Sequence, residues 1–162
     1  MITITLPDGS IKQFEAAPTG FDVARSISEG LARDCVAMEL DGQVRDLYLT
    51  IDSDATLRLI TRRDAEALEI MRHSAAHVMA QAVLRLYGSA KLTIGPVIDD
   101  GFYYDIDMEP ISEDNFSEIE AEMKKIVKAK VPIRRENISK AEALALYKDE
   151  PYKLEMIQDL PD

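Results

Sequence analysis

The sequence predicts an α+β protein in two parts, and three observations predict it. Residues 1–61 alternate apolar and polar positions in several short runs around one helical stretch. Residues 65–87 carry apolar side chains at helical spacing, together with both histidines of the chain. Beyond them two apolar runs flank Asp99-Asp100-Gly101, and a long amphipathic segment follows.

Each element of the first part has its own signal. Ile2, Ile4 and Leu6 alternate with Thr3 and Thr5, the period-2 pattern of a strand rich in β-branched residues. Pro7-Asp8-Gly9-Ser10 is a turn, because Pro presets φ and Gly tolerates positive φ, and a second strand runs from Ile11 to Phe14. Phe21, Ala24, Ile27, Ser28 and Leu31 then recur at helical spacing, predicting one helix between Gly20 and Gly30. A strand from Val36 to Leu40, an Asp41-Gly42 turn, Val44 and Leu47, and a last strand from Ala55 to Ile60 complete it. The order ββ-α-β(β)β describes a half-covered mixed sheet crossed by one helix, a β-grasp arrangement of ubiquitin-like shape.

Thr61-Arg62-Arg63-Asp64 reads as the break between domains, placing residues 1–61 in one and 62–162 in the other. A helix is expected from Ala65 to Tyr87, stopped by Gly88. Ile94 to Ile98 and Phe102 to Ile106 form a hairpin. Ser112 to Lys130 is an amphipathic helix presenting Phe116, Ile119, Met123, Ile126 and Val127, ended by Pro132, and Ile133 to Ile138 is read as a strand. Ser139-Lys140-Ala141-Glu142 has capping-box spacing and opens a short helix through Tyr147, whereas the tail from Pro151 is not assigned.

Composition excludes several functions. At 162 residues, with 46% hydrophobic and 30% charged residues, the chain can build real cores. Its formal net charge of -11 argues against nucleic-acid binding through bulk electrostatics, and neither half is basic. Cys35 is the single cysteine, so neither an internal disulfide nor a cysteine-rich zinc site can form, and it reads as a buried structural thiol in a strand. No apolar run approaches the ~20 residues of a membrane span, and a soluble protein of a reducing compartment is expected.

The histidines carry the chemical signal. At about 100° per residue, Leu68, Met71, Ala75, Val78, Met79, Ala82 and Leu86 share one face of the helix. Ile70, His73, His77, Ala80 and Leu84 fall roughly opposite, so the helix is expected to be enclosed on two sides. His73 and His77, four residues apart, project side by side. Such a pair serves as metal ligands, as acid and base on a substrate, or as core histidines bonded to backbone carbonyls, and the spacing alone leaves these open. Ser74 stands where a metalloprotease helix carries its glutamate, and two histidines leave a zinc site at least one ligand short.

The run Arg72 to Gln81, RHSAAHVMAQ, resembles the HxxxH helix of the editing domain of threonyl-tRNA synthetases, shared more loosely by alanyl-tRNA editing domains. Leu92 to Pro96 and Asp100 to Asp105 resemble the hairpin that follows it in that family. Residues 1–61 are similar to the TGS domain that precedes it, with Asp41-Gly42 and Ile2 to Gly9 as landmarks, so the resemblance covers the whole chain in order. It implies an N-terminal fragment of a class II, ATP-dependent threonine-charging ligase. Its editing domain would hydrolyse serine from the 3′ end of mischarged threonine tRNA. By the same resemblance His73 and His77 line the pocket and orient or activate water, and Tyr104 and Lys153 match pocket residues that meet the substrate. The family completes that pocket with a downstream Cys-x-x-x-His element lying beyond Asp162, so the fragment is expected to hold part of the editing site and none of the ligase core. ATP, magnesium and zinc are implied for the parent's core and no cofactor for this fragment. The parent is expected to be a cytoplasmic homodimer working on the acceptor end of threonine tRNA, without a membrane. The alternative is a TGS-containing regulatory or ligand-binding module without catalysis, which would not need the histidine helix or the hairpin.

Lys124, Lys125, Lys128, Lys130, Arg134 and Arg135 place six basic residues in twelve with no acid among them. They form a solvated helix face or a phosphate-contacting patch for the tRNA acceptor arm.

Overall fold

The computed structural model describes residues 1–133 and 135–161. The chain divides into two compact units, residues 1–71 and 72–162.

The first unit is the expected β-grasp. Strands β1 (Ile2–Thr5), β2 (Ile11–Phe14), β3 (Cys35–Leu40), β4 (Gln43–Arg45) and β5 (Ala55–Thr61) form one sheet in the order β2-β1-β5-β3-β4. β1 pairs parallel with β5, and every other neighbour is antiparallel. Asp41 and Gly42 both take positive φ, 48° and 78°, giving the tight β3–β4 turn. Ile4, Val23, Met38, Ile51 and Leu57, all but sealed from solvent, make the core between the sheet and helix α1 (Gly20–Ile27). Gly20 is required by space, because a Cβ there would stand 2.6 Å from Met38 Sδ.

One helix was expected between Gly20 and Gly30, and two are present. α1 stops at Ile27, Ser28 is fully extended, and α2 (Glu29–Asp34) starts afresh. Ser28 Oγ accepts from the Leu31 amide at 3.0 Å. That hydroxyl satisfies a first-turn donor that helix continuation would not need, so the serine divides the segment. Ala67 and Ile70, at the start of the following helix, pack on Ala37 and Ile60, so the compact unit extends to Met71. Cys35 is buried as expected, and burial, then Asp34 and Asp64, pushes its thiol up.

The second unit is built on the C-terminal part of α3 (Ala65–Leu86). Its core holds Ala82, Val83, Ala90 and Ile119, with Met79, Leu86, Ile106 and Met123 against them. These come from α3, α4 (Phe116–Ala129) and a hairpin. The hairpin has two short ladders: β6 (Lys91–Leu92) with β9 (Ile106–Asp107), and β7 (Val97–Ile98) with β8 (Gly101–Phe102). Between them Pro96 lacks an amide, and the strands are held by single bonds such as Asp105 N to Ile94 O at 2.9 Å. Arg72 fixes the hairpin's far end, donating to the carbonyls of Ile98 and Asp99 at 3.2 and 2.5 Å.

Further expectations fail in whole or in part. Ile133 and residues 135–138 belong to no strand; Ile133 is 91% exposed and no neighbouring edge receives it. Arg134 lies outside the described residues. α3 is covered only in part on its two expected faces: Met79, Ala82 and Leu86 of one and Ile70 and Ala80 of the other are packed, whereas Leu68, Met71 and Leu84 are exposed. Phe116 and Val127, expected on the apolar face of α4, are also exposed. The capping box at Ser139 is present, with Glu142 N to Ser139 Oγ at 3.2 Å, and opens α5 (Lys140–Leu146). The tail forms α6 (Pro151–Gln158), with Pro151 in its first turn, where a missing amide costs nothing.

Candidate functional site

His73 and His77 lie one turn apart on α3, and their rings meet. The Nε2 atoms are 3.0 Å apart and the rings are edge-to-face, with centroids separated by 4.7 Å. At that distance one Nε2 carries a hydrogen and the other presents its lone pair. The contact therefore holds one hydrogen between the rings, and a second would set two N–H donors against each other.

The rings border a cleft of about 450 Å³ in the second unit. Opposite them the hairpin supplies Thr93, Gly95 and Tyr104, and α6 supplies Lys153. The Tyr104 ring lies flat on Gly95, so closely that a Cβ there would fall 2.3 Å from Cδ2. Burial raises the Tyr104 phenol above its ordinary value, keeping it a hydrogen-bond donor at neutral pH. Lys153 Nζ donates to the Thr93 carbonyl at 3.4 Å. His77 is shifted down, first by burial, then by His73 and by Lys153. Since an ordinary histidine titrates near 6.5, His77 is neutral at pH 7 and able to accept a proton.

All four expected site residues, His73, His77, Tyr104 and Lys153, thus line one cavity. The rings are exposed at its mouth rather than sunk in packing, which sets aside the reading of core histidines tied to carbonyls. The donor set is poor for a metal. Among the described residues no group of three or more His, Cys, Asp or Glu is placed to hold an ion, and two imidazoles fall short of a zinc site. What the cleft can do is accept a proton from a bound water and donate hydrogen bonds to an oxygen nearby. Sequence reasoning missed Gly95 and Thr93 as parts of this cleft. Gly95, directly before Pro96, was readable as a close approach, whereas a carbonyl lining leaves no mark in the sequence. A second cavity, about 250 Å³ beside Arg58 in the first unit, is less equipped. That guanidinium is paired with Glu39 and Glu66, each at 2.8 Å.

Comparison with known proteins shows what the chain is similar to. The TGS domain family matches residues 2–61. Over its full length the chain is 66% identical to a threonine--tRNA ligase of Desulforapulum autotrophicum, covering 26% of that protein. It is 61% identical to the threonine--tRNA ligase of Desulfosudis oleivorans, covering 25%. At greater distance it is 50% identical to that of Hyphomonas neptunium over 99% of the chain. The chain spans about a quarter of the length of the curated relatives it matches. No helix among the described residues is long and apolar enough to cross a membrane. Residues 2–61 match the TGS domain family, and from end to end the chain is similar to the N-terminal part of threonine--tRNA ligase.

Proposed function

We propose that residues 62–162 are the histidine-bearing part of a proofreading domain that removes serine from mischarged threonine tRNA. The observation that carries this reading is the pair of Nε2 atoms 3.0 Å apart at the mouth of a cleft that also holds Lys153 and Tyr104. Serine lacks only the methyl group of threonine, and a missing methylene-sized group limits discrimination to about 1–3 kcal/mol. A second site that destroys the wrong product answers that limit.

A water seated at the histidine pair attacks the ester carbonyl carbon, and the imidazole whose Nε2 accepts from its neighbour turns that lone pair to the water and takes its proton. The bond from that carbon to the terminal ribose oxygen breaks, and the proton passes to the departing oxygen, leaving serine and tRNA. Lys153 and Tyr104 donate to the carbonyl oxygen as negative charge gathers on it. On the same reading the whole parent is a cytoplasmic, homodimeric class II ligase that charges threonine tRNA. It would take ATP, magnesium and zinc outside the residues described and grip the acceptor end of the tRNA. Lys128, Lys130 and Arg135 are the candidates for phosphate contact. Lys124 and Lys125 are engaged by Glu120 and Glu122 of their own helix, at 3.8 and 3.0 Å.

The test is to incubate the chain, and a His73→Ala, His77→Ala variant, with seryl- and threonyl-charged threonine tRNA. Faster loss of serine than of threonine, abolished in the variant, is expected. Equal deacylation by both proteins would remove the histidines from the mechanism.

A further inference from the structure

Helix α6 carries Lys153 to the cleft, yet none of its residues is buried. Packing alone therefore does not set its place against the hairpin. The contacts that do so are polar and cluster at its first turn. Lys91 Nζ donates to the Asp149 carbonyl and to the Glu150 carboxylate, both at 3.1 Å. The Tyr152 hydroxyl donates to Asp107 Oδ2 at 2.8 Å. Lys91 and Asp107 are direct partners across the β6–β9 ladder. One cross-strand pair, cation on one strand and anion on the other, thus grips the two residues that bracket Pro151. Lys153 follows immediately and reaches Thr93, two residues beyond Lys91 on the same strand. At the other end of α6 Lys140 donates to the Leu160 carbonyl at 2.6 Å, far from the cleft lining.

We propose that Lys91 and Tyr152 are positioning residues, bolting the first turn of α6 to the hairpin so that the Lys153 ammonium stands over the histidine pair. Each contact is exposed or half-buried and weak by itself. Two contacts from adjacent strand positions remove both the sliding and the rotation that either alone would allow. The inference rests on the hydrolytic reading of the cleft, because it explains how that cleft keeps its cation in place.

The groups facing His77 are His73 on α3, Tyr104 on the hairpin and Lys153 on α6. A nearby ammonium disfavours the imidazolium, so the His77 titration reports where Lys153 stands. The experiment is an NMR pH titration of the full chain as wild type, Lys153→Met, Lys91→Met with Tyr152→Phe, and Lys91→Arg. Lys153→Met is expected to raise the His77 midpoint. The double variant should raise it toward the same value, and Lys91→Arg, which keeps a cation against Glu150, should leave it at the wild-type value. If the double variant unfolds, Tyr152→Phe alone removes one hydroxyl and should give part of the rise. A double variant, or the single one in its place, that titrates as wild type would overturn the proposal, and so would an unchanged midpoint in Lys153→Met. Seryl-tRNA deacylation by the same proteins tests the hydrolytic reading separately. Absence of hydrolysis in every protein, wild type included, would end that reading while the titration still decided how Lys153 is placed.

Discussion

Replacing Gly95 by alanine tests the cleft wall at its tightest point. The added methyl would lie 2.3 Å from Tyr104 Cδ2, 2.5 Å from Cε2 and 2.9 Å from Cγ. Carbon atoms rest at about 3.5 Å or more, so the ring must retreat by roughly 1 Å. Contact with Cγ, next to the main chain, means that turning the ring does not relieve the clash. Overpacking of this kind costs about 1–3 kcal/mol. The ring borders the cleft and so has room to shift, which places the cost near the low end, at about 1 kcal/mol. For a unit of residues 72–162 that is a fall of about 4–8 °C in its Tm. The ring's new position matters more than the stability. Pushed out toward water, the phenol loses the burial that raises it and should titrate closer to its ordinary value of about 10. A displacement of that size at a reacting group costs on the order of 100-fold in rate, so seryl-tRNA hydrolysis should fall accordingly. The assays are thermal unfolding, NMR titration of the Tyr104 ring, and deacylation. A Gly95→Ala protein with wild-type Tm and an unmoved Tyr104 titration would refute the argument.

Three further outcomes follow from the first unit. Thr19→Ala removes the hydroxyl that accepts from the Asp22 amide at 3.1 Å, and should destabilise the unit by about 1 kcal/mol in urea denaturation. Asp22 is held below the usual carboxylate range by the Thr19 hydroxyl and then by the Thr19 amide. A lowered folded pKa stabilises above the unfolded value of about 3.9 and loses that contribution as pH falls through the folded pKa. The stability gap between wild type and Asp22→Asn should therefore be full at neutral pH and close on strong acidification, and a gap independent of pH would contradict the capping role. Cys35, 9% exposed and with its thiol pushed up by burial, should react with a disulfide reagent only after unfolding. Reaction at the rate of a free thiol in the native protein would show the strand to be open there.

Much of this was written in local patterns. Alternation at Ile2, Ile4 and Leu6, the Asp41-Gly42 turn and the Ser139–Glu142 box each depend on neighbours close in sequence, and each formed as expected. The histidine pair was legible for the same reason, since four residues on a helix bring two side chains together. Features decided by distant partners were not. Ser28 lies within a continuous apolar repeat, and only the energetics of its hydroxyl divide the helix. Ile133 to Ile138 has the composition of a strand, but a strand needs an edge to join, and Ile133 meets only solvent. Leu68 and Met71 fit an apolar face that is covered only in part. Helix α6 has no buried face to announce it, and what places it is a pair of polar contacts from strands about fifty residues earlier in the chain.

The central claim is that His73 and His77 share one proton between their Nε2 atoms beside the cleft. Nitrogen-resolved NMR of the two rings near neutral pH tests it directly. The account predicts one Nε2 protonated, the other bearing a lone pair, and a hydrogen-bond coupling between them. Two rings with both Nε2 atoms unprotonated, or with no coupling at any pH, would contradict it.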